Sequence, residues 1–402
     1  MNIGIVTTWF ERGAAYVSKA YLDALHEEHS VFIFARGGES RAIDDPYWDK
    51  PNVTWGKQHK DNWFRIDWRQ FKQWVRQNDI DIVVFNEQQD WEIIVDCTKL
   101  DIITVAYVDY YTRRTIPFFQ LYDSVICHTK RHFSVFENHF QPHYIPWGTD
   151  LELYRPVIKR EETDVIFFHS AGMGGINLRK GTDLLVRAFS SIEATGAKLI
   201  IHSQKPLHTF QEVAQAIAAH PRITFIHETV APPGLYHLAD VYVYPSRLDG
   251  LGLTIMEALA SGLPVITTDS PPMSEFVTDQ VTGKLVKVEY HLSRDDGYFW
   301  AESICSIKSL AESMLFFVNN RQQLPRYQNA ARRYAEQELD WSRNSKLLRR
   351  VFSGLTKNPH KDVFLQRNKA QVLGYTFSRR ENGNRIRTRL ARKLWRRLHG
   401  LD

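Results

Sequence analysis

The sequence predicts an α/β protein with two doubly wound parallel sheets, and two observations lead to this prediction. Short apolar runs alternate with helical patterns along most of the 402-residue chain. The alternation is interrupted at Tyr144–Pro146 and Gly148, where the end of a strand pattern is followed by a polar turn, and it then begins again. Because strands that alternate with helices build parallel sheets, we expect each half of the chain to form one such domain.

The first half begins with an apolar run that is followed by a helical pattern, and this order is repeated. We predict strands at Asn2–Thr7, Ser30–Ala35, Ile80–Asn86, Ile102–Tyr107 and Ser124–Cys127. The helices between them are predicted at Tyr16–Glu27, Trp68–Gln77 and Lys130–Asn138.

The second half repeats this plan and ends in a run of helices. We predict strands at Asp164–His169, Ala197–His202, Ile223–Ile226, Val241–Tyr244 and Pro264–Thr267. Helices are predicted at Thr182–Ile192, Phe210–Ala218, Gly234–Leu238, Leu253–Ser261, Ile307–Asn319, Gln328–Gln337 and Ser342–Phe352. Doubly wound sheets bind ligands outside the carboxyl ends of their strands, so the loops there are the expected functional regions.

The composition is that of an ordinary globular protein, with 43% hydrophobic and 24% charged residues. Cys97, Cys127 and Cys305 are odd in number and far apart, which argues against a disulfide framework or a metal knuckle and favours a reducing, cytoplasmic location. Met1–Phe10 lacks the basic start and the cleavage site of a signal peptide. No apolar run approaches the roughly 20 residues that span a bilayer.

The positive net charge of +5 comes from the C-terminal tail, because residues 379–397 contain nine Arg or Lys and one Glu. Five apolar side chains in and just after this stretch fall on one helical stripe: Ile386, Leu390, Leu394, Leu398 and Leu401. A basic amphipathic helix suits an anionic membrane surface, so we expect residues 379–401 to bind one. The alternatives are a helix docked on the body, a solvated extension and a tail for nucleic acid. Since no nucleic-acid motif is present, we expect no nucleic acid partner.

Residues 239–265 carry the side chains with the clearest chemistry. An apolar strand pattern is followed by a tight loop with Asp249, Gly250 and Gly252, and then by a helix that carries Glu257. The glycines let the backbone approach a ligand closely, and the helix N-terminus offers unpaired N–H groups to a phosphate. The two carboxylates can accept hydrogen bonds from sugar and ribose hydroxyls.

This segment resembles the donor-site signature of the retaining nucleotide-sugar glycosyltransferases of family 4. The signature is matched at Pro245, Ser246, Asp249, Gly250, Gly252, Glu257, Ala258 and Gly262-Leu263-Pro264-Val265, with Asp249 where the family usually has Glu. The resemblance implies the GT-B architecture, in which two Rossmann-like domains face a cleft. It divides the chain into an acceptor domain (1–150), a donor domain (151–340), a helix that crosses back to the first domain (341–354) and a basic amphipathic tail (355–402).

The resemblance also implies roles for individual residues of the donor site. Lys180, preceded by Arg179, matches the cations that hold the donor diphosphate. Glu257 is expected to bind the ribose, and Asp249 is expected to bind the transferred sugar. The donor pocket is completed by a glycine of the first domain and by the loop and helix start of the second, at Gly13, Gly250, Leu251, Gly252, Leu253 and Thr254.

The acceptor side departs from the family pattern. Where the family often has His-Asp after a strand of the first domain, this chain has Asp109 without a neighbouring His. Asp109 is therefore assigned as the catalytic aspartate, together with Lys180, Asp249 and Glu257 of the donor site. Either a tyrosine replaces the missing His or the acceptor is oriented differently. The further candidates are Tyr107, Tyr110 and His128.

The implied reaction moves a sugar from a nucleoside-diphosphate sugar to a glycan or a lipid-linked glycan, with retention of the anomeric configuration. No metal and no cofactor are expected, because the nucleotide sugar is a co-substrate and cations and amides stabilise the leaving diphosphate. The expected setting is cytoplasmic, peripheral on the membrane where the tail binds lipid, in surface-polysaccharide or lipopolysaccharide synthesis. The alternatives are a catalytically silent homologue that acts as a binding or partner subunit, an inverting GT-B transferase, and a phosphorylase or epimerase.

Overall fold

The chain folds into two compact units of α/β structure. The computed structural model describes residues 1–38, 40–59, 62–157, 163–172, 178–207 and 211–375. Among these, the first unit comprises residues within 1–145, 295–299 and 342–375, and the second comprises residues within 146–294 and 300–341. The first border falls between Ile145 and Pro146, close to the border at residue 150 that the sequence predicts.

The first unit is built on a seven-stranded parallel sheet. Its strands are β1 (Asn2–Thr7), β2 (Ser30–Ala35), β3 (Val53–Trp55), β4 (Ile82–Asn86), β5 (Ile103–Tyr107), β6 (Ser124–Cys127) and β7 (Pro142–Tyr144). They are ordered β3-β2-β1-β4-β5-β6-β7, so the order reverses between β1 and β4. The central strands are buried on both faces, which explains why they read as continuous apolar runs.

The second unit has the same plan, with a six-stranded parallel sheet. Its strands are β8 (Val165–Gly172), β9 (Ala197–Ser203), β10 (Ile223–His227), β11 (Val241–Tyr244), β12 (Val265–Thr268) and β13 (Gly283–Val286). They are ordered β10-β9-β8-β11-β12-β13, and the order reverses between β8 and β11. The two sheets confirm the predicted fold class of two doubly wound parallel-sheet domains.

Helices cover the sheets, and local side chains determine where several of them begin. They are α1 (Gly13–Leu25), α2 (Trp68–Gln77), α3 (Trp91–Cys97), α4 (Lys130–Phe136), α5 (Thr182–Ser190), α6 (Gln211–Ala219), α7 (Leu253–Ala260), α8 (Ile307–Asn319), α9 (Leu324–Glu338), α10 (Trp341–Ser353) and α11 (Lys361–Leu373). The Asp67 side chain caps α2 by accepting from the N–H of Gln70 at 3.0 Å, and Thr129 caps α4 by accepting from the N–H of His132 at 3.1 Å. Within the described ranges, no helix has both the length and the apolar character that crossing a membrane requires.

A hairpin that the sequence does not predict lies outside both sheets. Its antiparallel strands are β14 (Val288–Leu292) and β15 (Glu302–Cys305), which belong to the second unit. The segment Asp295–Phe299 between these strands belongs to the first unit. There the N–H of Phe299 donates to the carbonyl of Tyr111 at 2.9 Å, and the Tyr298 hydroxyl donates to the carbonyl of Asp109 at 3.0 Å. The segment thus supports the loop that follows β5.

The elements that the sequence does not predict are short or weakly patterned. The strands β3 and β7 have three residues each, too few to show a period. The helix α3 is an apolar run of seven residues, whose length alone does not distinguish a helix from a strand. The predicted helix at Gly234–Leu238 is a single 3-10 turn, Tyr236–Leu238.

The C-terminal tail begins later than residue 355, where the sequence places it. Lys361, at the start of α11, donates from Nζ to the buried carboxylate of Asp123 at 2.7 Å. The same carboxylate accepts from the N–H of Asn358 at 2.8 Å and from the N–H of Thr104 at 2.7 Å. Residues 358–375 therefore pack on the first unit. The basic amphipathic stripe at 379–401 lies outside the described residues.

We expect Asp123→Asn to lower the free energy of unfolding by about 3 kcal/mol, because it leaves the buried Lys361 ammonium without a carboxylate. Urea unfolding followed by circular dichroism measures the change. The control is Asp101→Asn, which removes the carboxylate partner of Lys357 at an exposed position and should change stability little. Equal effects of the two substitutions would contradict the buried pair as the attachment of α11.

Candidate active site

Most of the predicted donor-site residues lie at the carboxyl ends of β8 and β11 in the second unit. Arg179 and Lys180 end the turn that follows β8, and Asp249 lies in the loop that follows β11. β8 and β11 are neighbours where the strand order reverses, so the connections after them diverge and open a crevice. Residues 173–175 of the Gly-rich stretch after β8 lie outside the described residues.

Two glycines in the left-handed region precede the helices of the site, and one of them lets the turn and the loop approach closely. Gly252, at φ +84°, directly precedes α7, whose first residues are Leu253 and Thr254. Gly181, at φ +72°, directly precedes α5, and a Cβ atom on it would lie 2.0 Å from the carbonyl oxygen of Pro245. Only glycine allows this approach of the two backbones, and the approach places the cations of the turn beside the acid of the loop.

Lys180 and Asp249 form a buried ion pair that Tyr244 completes. The Lys180 ammonium donates to Oδ2 of Asp249 at 3.0 Å, and the Tyr244 hydroxyl contacts both groups. Burial lowers the pKa of Lys180 to about 8, against the attraction of Asp249. Burial alone would raise the pKa of Asp249, but the charges of Lys180 and Arg179 and the Tyr244 hydrogen bond hold that pKa well below its usual range. Both partners are therefore ionised at neutral pH.

The second cation of the turn is more open to solvent. Arg179 donates to the carbonyl of Leu248 at 3.1 Å and lies 3.7 Å from Oδ2 of Asp249, with its side chain 39% exposed. The other carboxylate oxygen of Asp249 accepts from the N–H of Gly250 at 2.8 Å, and the next residue, Leu251, is buried under the loop. The loop thus presents polar backbone groups beside the two cations of the turn.

Glu257 lies one turn into α7, and its carboxylate is oriented by tyrosines. Its Oε2 accepts from the Tyr236 hydroxyl at 2.6 Å. Burial raises the pKa of Glu257, while hydrogen bonds from Tyr236 and Tyr154 and the charge of Lys180 oppose the rise. The carboxylate is thereby held in one orientation at the start of the helix.

A buried arginine that the sequence does not reveal holds the loop in place. Arg247 makes a bidentate pair with Asp183 of α5 at 2.7 and 2.6 Å, and both side chains are 2% exposed. Its backbone N–H donates to the carbonyl of Arg179 at 2.8 Å, so the loop and the cation turn are joined.

The tyrosines of the site, Tyr154, Tyr236 and Tyr244, were also not identified from the sequence. A phenol at the last residue of the central strand β11, Tyr244, is the signal that could have identified one of them.

Two predicted site residues, Gly13 and Asp109, belong to the first unit, whereas the others belong to the second. Gly13 is the first residue of α1, and Asp109 follows β5. The candidate His128 has both ring nitrogens engaged, with Nε2 2.6 Å from the Tyr21 hydroxyl and Nδ1 2.7 Å from the carbonyl of Ile145. Burial lowers the pKa of His128 to about 4, so the ring is neutral and structural.

The two tyrosines that could replace the missing His differ in their surroundings. Tyr107 is buried, and its ring lies 5.4 Å from that of His128. Tyr110 is less buried, stacks on Tyr298 with centroids 5.1 Å apart, and donates from its hydroxyl to the carbonyl of Asp296 at 2.8 Å.

Most of the second unit is similar to a known family of domains. Residues 154–334 match the family model of the Glycosyl transferases group 1. The matched stretch contains the whole cluster of Arg179, Lys180, Asp249 and Glu257 together with both left-handed glycines. This part of the chain is similar to the Glycosyl transferases group 1.

Two curated relatives are similar over parts of the chain. The lipopolysaccharide core biosynthesis mannosyltransferase LpsB of Rhizobium meliloti (strain 1021) is 34% identical over 131 residues, which are 29% of this chain and 36% of the relative. The corresponding mannosyltransferase LpcC of Rhizobium leguminosarum bv. viciae is 31% identical over 198 residues, 45% of this chain and 53% of the relative. The chain thus spans between about a third and about half of the length of these relatives.

Solved structures show the same fold over most of the chain. A glycosyltransferase from Rickettsia africae ESF-5 has a TM-score of 0.70 at 14% identity, with 88% of this chain and 99% of that chain covered. Anabaena Alr3699/HepE in complex with UDP and glucose has a TM-score of 0.68 at 15% identity, with 88% and 100% covered. These likenesses establish the GT-B class of fold, with its two Rossmann-like domains.

We expect Lys180 to titrate at about 8, well below the 10.5 of an ordinary lysine, and to titrate still lower in Asp249→Asn. The substitution removes the carboxylate that opposes the effect of burial. NMR of protein with labelled lysine side chains, recorded against pH, measures the pKa. Glu212→Gln, at an exposed position of α6 in the same unit, should leave it unchanged. A pKa of Lys180 that rises when Asp249 loses its charge would disprove the pair.

Proposed function

We propose that this chain is a glycosyltransferase that moves a sugar from a nucleoside-diphosphate sugar to a glycan or a lipid-linked glycan, with retention of the anomeric configuration, as in family 4. The observation that carries the proposal is the cluster of Lys180, Arg179, Asp249 and Glu257 around the start of α7. It lies in a domain that matches the Glycosyl transferases group 1. The relatives from lipopolysaccharide core synthesis support a role in cell-surface glycan assembly.

The cations of the site suit a departing diphosphate. Negative charge develops on the nucleoside diphosphate as its bond to the sugar breaks, and fixed positive groups stabilise that charge. Lys180 and Arg179 supply two such groups, and the N–H groups of Gly252, Leu253 and Thr254 at the start of α7 supply more. With this much positive charge in place, we propose that the reaction needs no metal ion and no further cofactor.

The carboxylates of the site suit hydroxyl recognition. Glu257, oriented by Tyr236, binds the ribose, and Asp249 binds a hydroxyl of the transferred sugar while it keeps Lys180 charged. The acceptor binds to the first unit, where Asp109 lies. Retention in one step requires the acceptor hydroxyl to approach on the leaving-group side. Its oxygen then bonds to the anomeric carbon, and its proton passes to the departing phosphate oxygen.

We expect one of UDP, GDP or ADP to raise the melting temperature, since a ligand at 100 times its dissociation constant adds about 2.7 kcal/mol of stability. Glu257→Gln should weaken that nucleotide roughly tenfold to a hundredfold, because hydrogen bonds to a charged group contribute about 1.5–3 kcal/mol. The exposed-site control Glu212→Gln should bind as the wild type does. Affinity should also fall as the pH rises above about 8, where Lys180 loses its proton.

The same preparation distinguishes this function from its alternatives. With the matching nucleotide sugar in buffer that contains EDTA, the anomeric proton signals of the product report retention or inversion. An inverted product would show that the enzyme is an inverting transferase. Loss of activity in EDTA would show that the reaction requires a metal ion. A folded protein that binds none of the nucleotides would be a silent homologue.

The C-terminal tail supports a lipid-linked acceptor. Its sequence combines cations with an apolar helical stripe at 379–401, a combination that binds anionic bilayers. We propose that this tail holds a cytoplasmic enzyme at the membrane surface where its acceptor lies.

A chain that ends at Tyr375 should lose its affinity for vesicles with anionic lipid, whereas the full chain should co-sediment with them and not with neutral vesicles. Ending the chain at Tyr375 keeps the Lys361 and Asp123 pair, so the body remains folded. Leu394→Glu in the full chain interrupts the apolar stripe and should weaken binding while most of the positive charge remains. Unchanged sedimentation of both variants would exclude the tail as a membrane anchor.

A further inference from the structure

The entry segment of the second unit, residues 151–154, is tied to the helix α7. Arg332 of α9 makes the tie, because its guanidinium donates to the carbonyls of Leu151 at 3.2 Å and Tyr154 at 2.9 Å. The same nitrogen, Nη1, donates to the carbonyl of Ala260, the last residue of α7, at 2.9 Å. Hydrogen bonds from a charged donor are stronger than those between neutral groups. Arg332 therefore holds the entry segment in place against α7.

The guanidinium of Arg332 is itself oriented by an acid of the same helix. Its Nε donates to Oε1 of Glu336 at 2.7 Å, one turn further along α9, while Nη1 makes the bonds to the carbonyls. Nε and Nη1 lie in one rigid plane, so the two sets of bonds together depend on the planar fork of an arginine. A lysine has a single ammonium group and cannot make both sets from the same position.

Tyr154 extends this tie from the entry segment to Glu257. Its hydroxyl donates to the Glu257 carboxylate, which also accepts from the Tyr236 hydroxyl at 2.6 Å. The rings of the two tyrosines lie 6.1 Å apart at an angle of 70°, and both side chains are buried. The two phenols come from different parts of the chain, the entry segment and the turn before β11, so two separate segments hold the carboxylate.

The remaining capacity of the Glu257 carboxylate suits a pair of hydroxyls. A carboxylate has about four lone-pair sites and accepts hydrogen bonds without donating any. Among the described residues, the two tyrosine hydroxyls occupy two of these sites, so about two remain for a ligand. A ribose presents two neighbouring hydroxyls. A carboxylate whose orientation is already set loses little freedom when it accepts from both.

We propose that Arg332 and Tyr154 are positioning residues for the donor, and that through Glu257 they make the enzyme select ribonucleotides over nucleotides without ribose hydroxyls. Arg332 acts through the entry segment, and Tyr154 acts through the Glu257 carboxylate. The carboxylate, rather than either of these two side chains, contacts the ribose. This inference rests on the proposed function, in which Glu257 binds the ribose.

Isothermal titration calorimetry on the full-length protein tests the selection. The probes are UDP, GDP or ADP, whichever binds, and its 2′,3′-dideoxy analogue. The wild type should bind the analogue roughly tenfold to hundredfold more weakly, because hydrogen bonds to a charged group are lost. Tyr154→Phe removes the hydroxyl and keeps the ring. It should weaken the ribonucleotide roughly tenfold and leave the analogue unchanged, so the ratio of the two affinities falls.

Tyr327→Phe is the matched control for this variant. Tyr327 is a buried tyrosine of α9 that packs in the apolar core of the second unit, so its loss of a hydroxyl should leave the ratio unchanged. Arg332→Lys keeps the charge without the planar fork and should lower the ratio as Tyr154→Phe does. Its control is Arg333→Lys, at an exposed neighbouring position of α9. If Arg332→Lys does not fold, the wild type and Tyr154→Phe still decide the question.

Two results would overturn the inference. Equal affinity of the wild type for the ribonucleotide and its dideoxy analogue would show that no ribose hydroxyl is recognised. An equal loss of affinity for both nucleotides in folded Tyr154→Phe would show that the tyrosine supports the fold of the site in general. Only a loss confined to the ribonucleotide identifies a residue that acts through Glu257 on the ribose.

The pKa of Glu257 separates this inference from the proposed function, because its measurement needs no nucleotide. Tyr154→Phe should raise the pKa of Glu257, since the variant lacks a hydrogen bond that stabilises the carboxylate. NMR of protein with labelled glutamate carboxyl groups measures it. A raised pKa in a protein that binds no nucleotide would contradict the transferase and the selection of ribose, and would keep Tyr154 as a residue that positions Glu257. Nucleotide binding with an unchanged pKa and an unchanged affinity ratio would keep the transferase and overturn the inference.

Discussion

The donor site depends on keeping one buried lysine charged. Burial favours the neutral form of Lys180, and the carboxylate of Asp249, 3.0 Å away, offsets part of that effect. The pair therefore needs the turn after β8 and the loop after β11 to stay at a set distance. Gly181, which admits the Pro245 carbonyl, and Ser246, whose hydroxyl donates to the Arg179 carbonyl at 3.1 Å, maintain that distance.

The loop itself has no regular secondary structure, so a second buried pair determines its shape. Arg247 and Asp183 are nearly inaccessible to water and form two hydrogen bonds. Buried pairs of this kind contribute little net stability compared with apolar packing, but they tolerate few alternative geometries. The hairpin strand β15 adds to the support, because the N–H of Ser303 donates to the Arg247 carbonyl at 2.8 Å. The position of the Lys180 and Asp249 pair thus depends on the buried pair of Arg247 and Asp183.

The sequence predicts the parts of this arrangement that are local along the chain. Central strands such as β1 and β4 are buried on both faces and leave continuous apolar runs, and Asp249, Gly252 and Glu257 fall within one short window. The partners of those residues are not local. Lys180 is 69 residues from Asp249, and Arg247 is 64 residues from Asp183, so their pairing requires the fold. The helix α11 was missed because its apolar and polar residues are not segregated to opposite faces.

The acceptor side shows why residue type alone predicts chemistry poorly. His128 at the end of a strand has the appearance of a catalytic base, but Tyr21 and the Ile145 carbonyl engage both of its nitrogens in the interior. Gln88 and Gln89 have the appearance of ordinary loop residues, yet their amide nitrogens are engaged, whereas their buried oxygens have no hydrogen-bond partner among the described residues. A polar side chain can bind a ligand only through donors and acceptors that are not already engaged within the protein. That remaining capacity is a property of three-dimensional contacts, which is why the sequence alone could not exclude the histidine as a catalytic base.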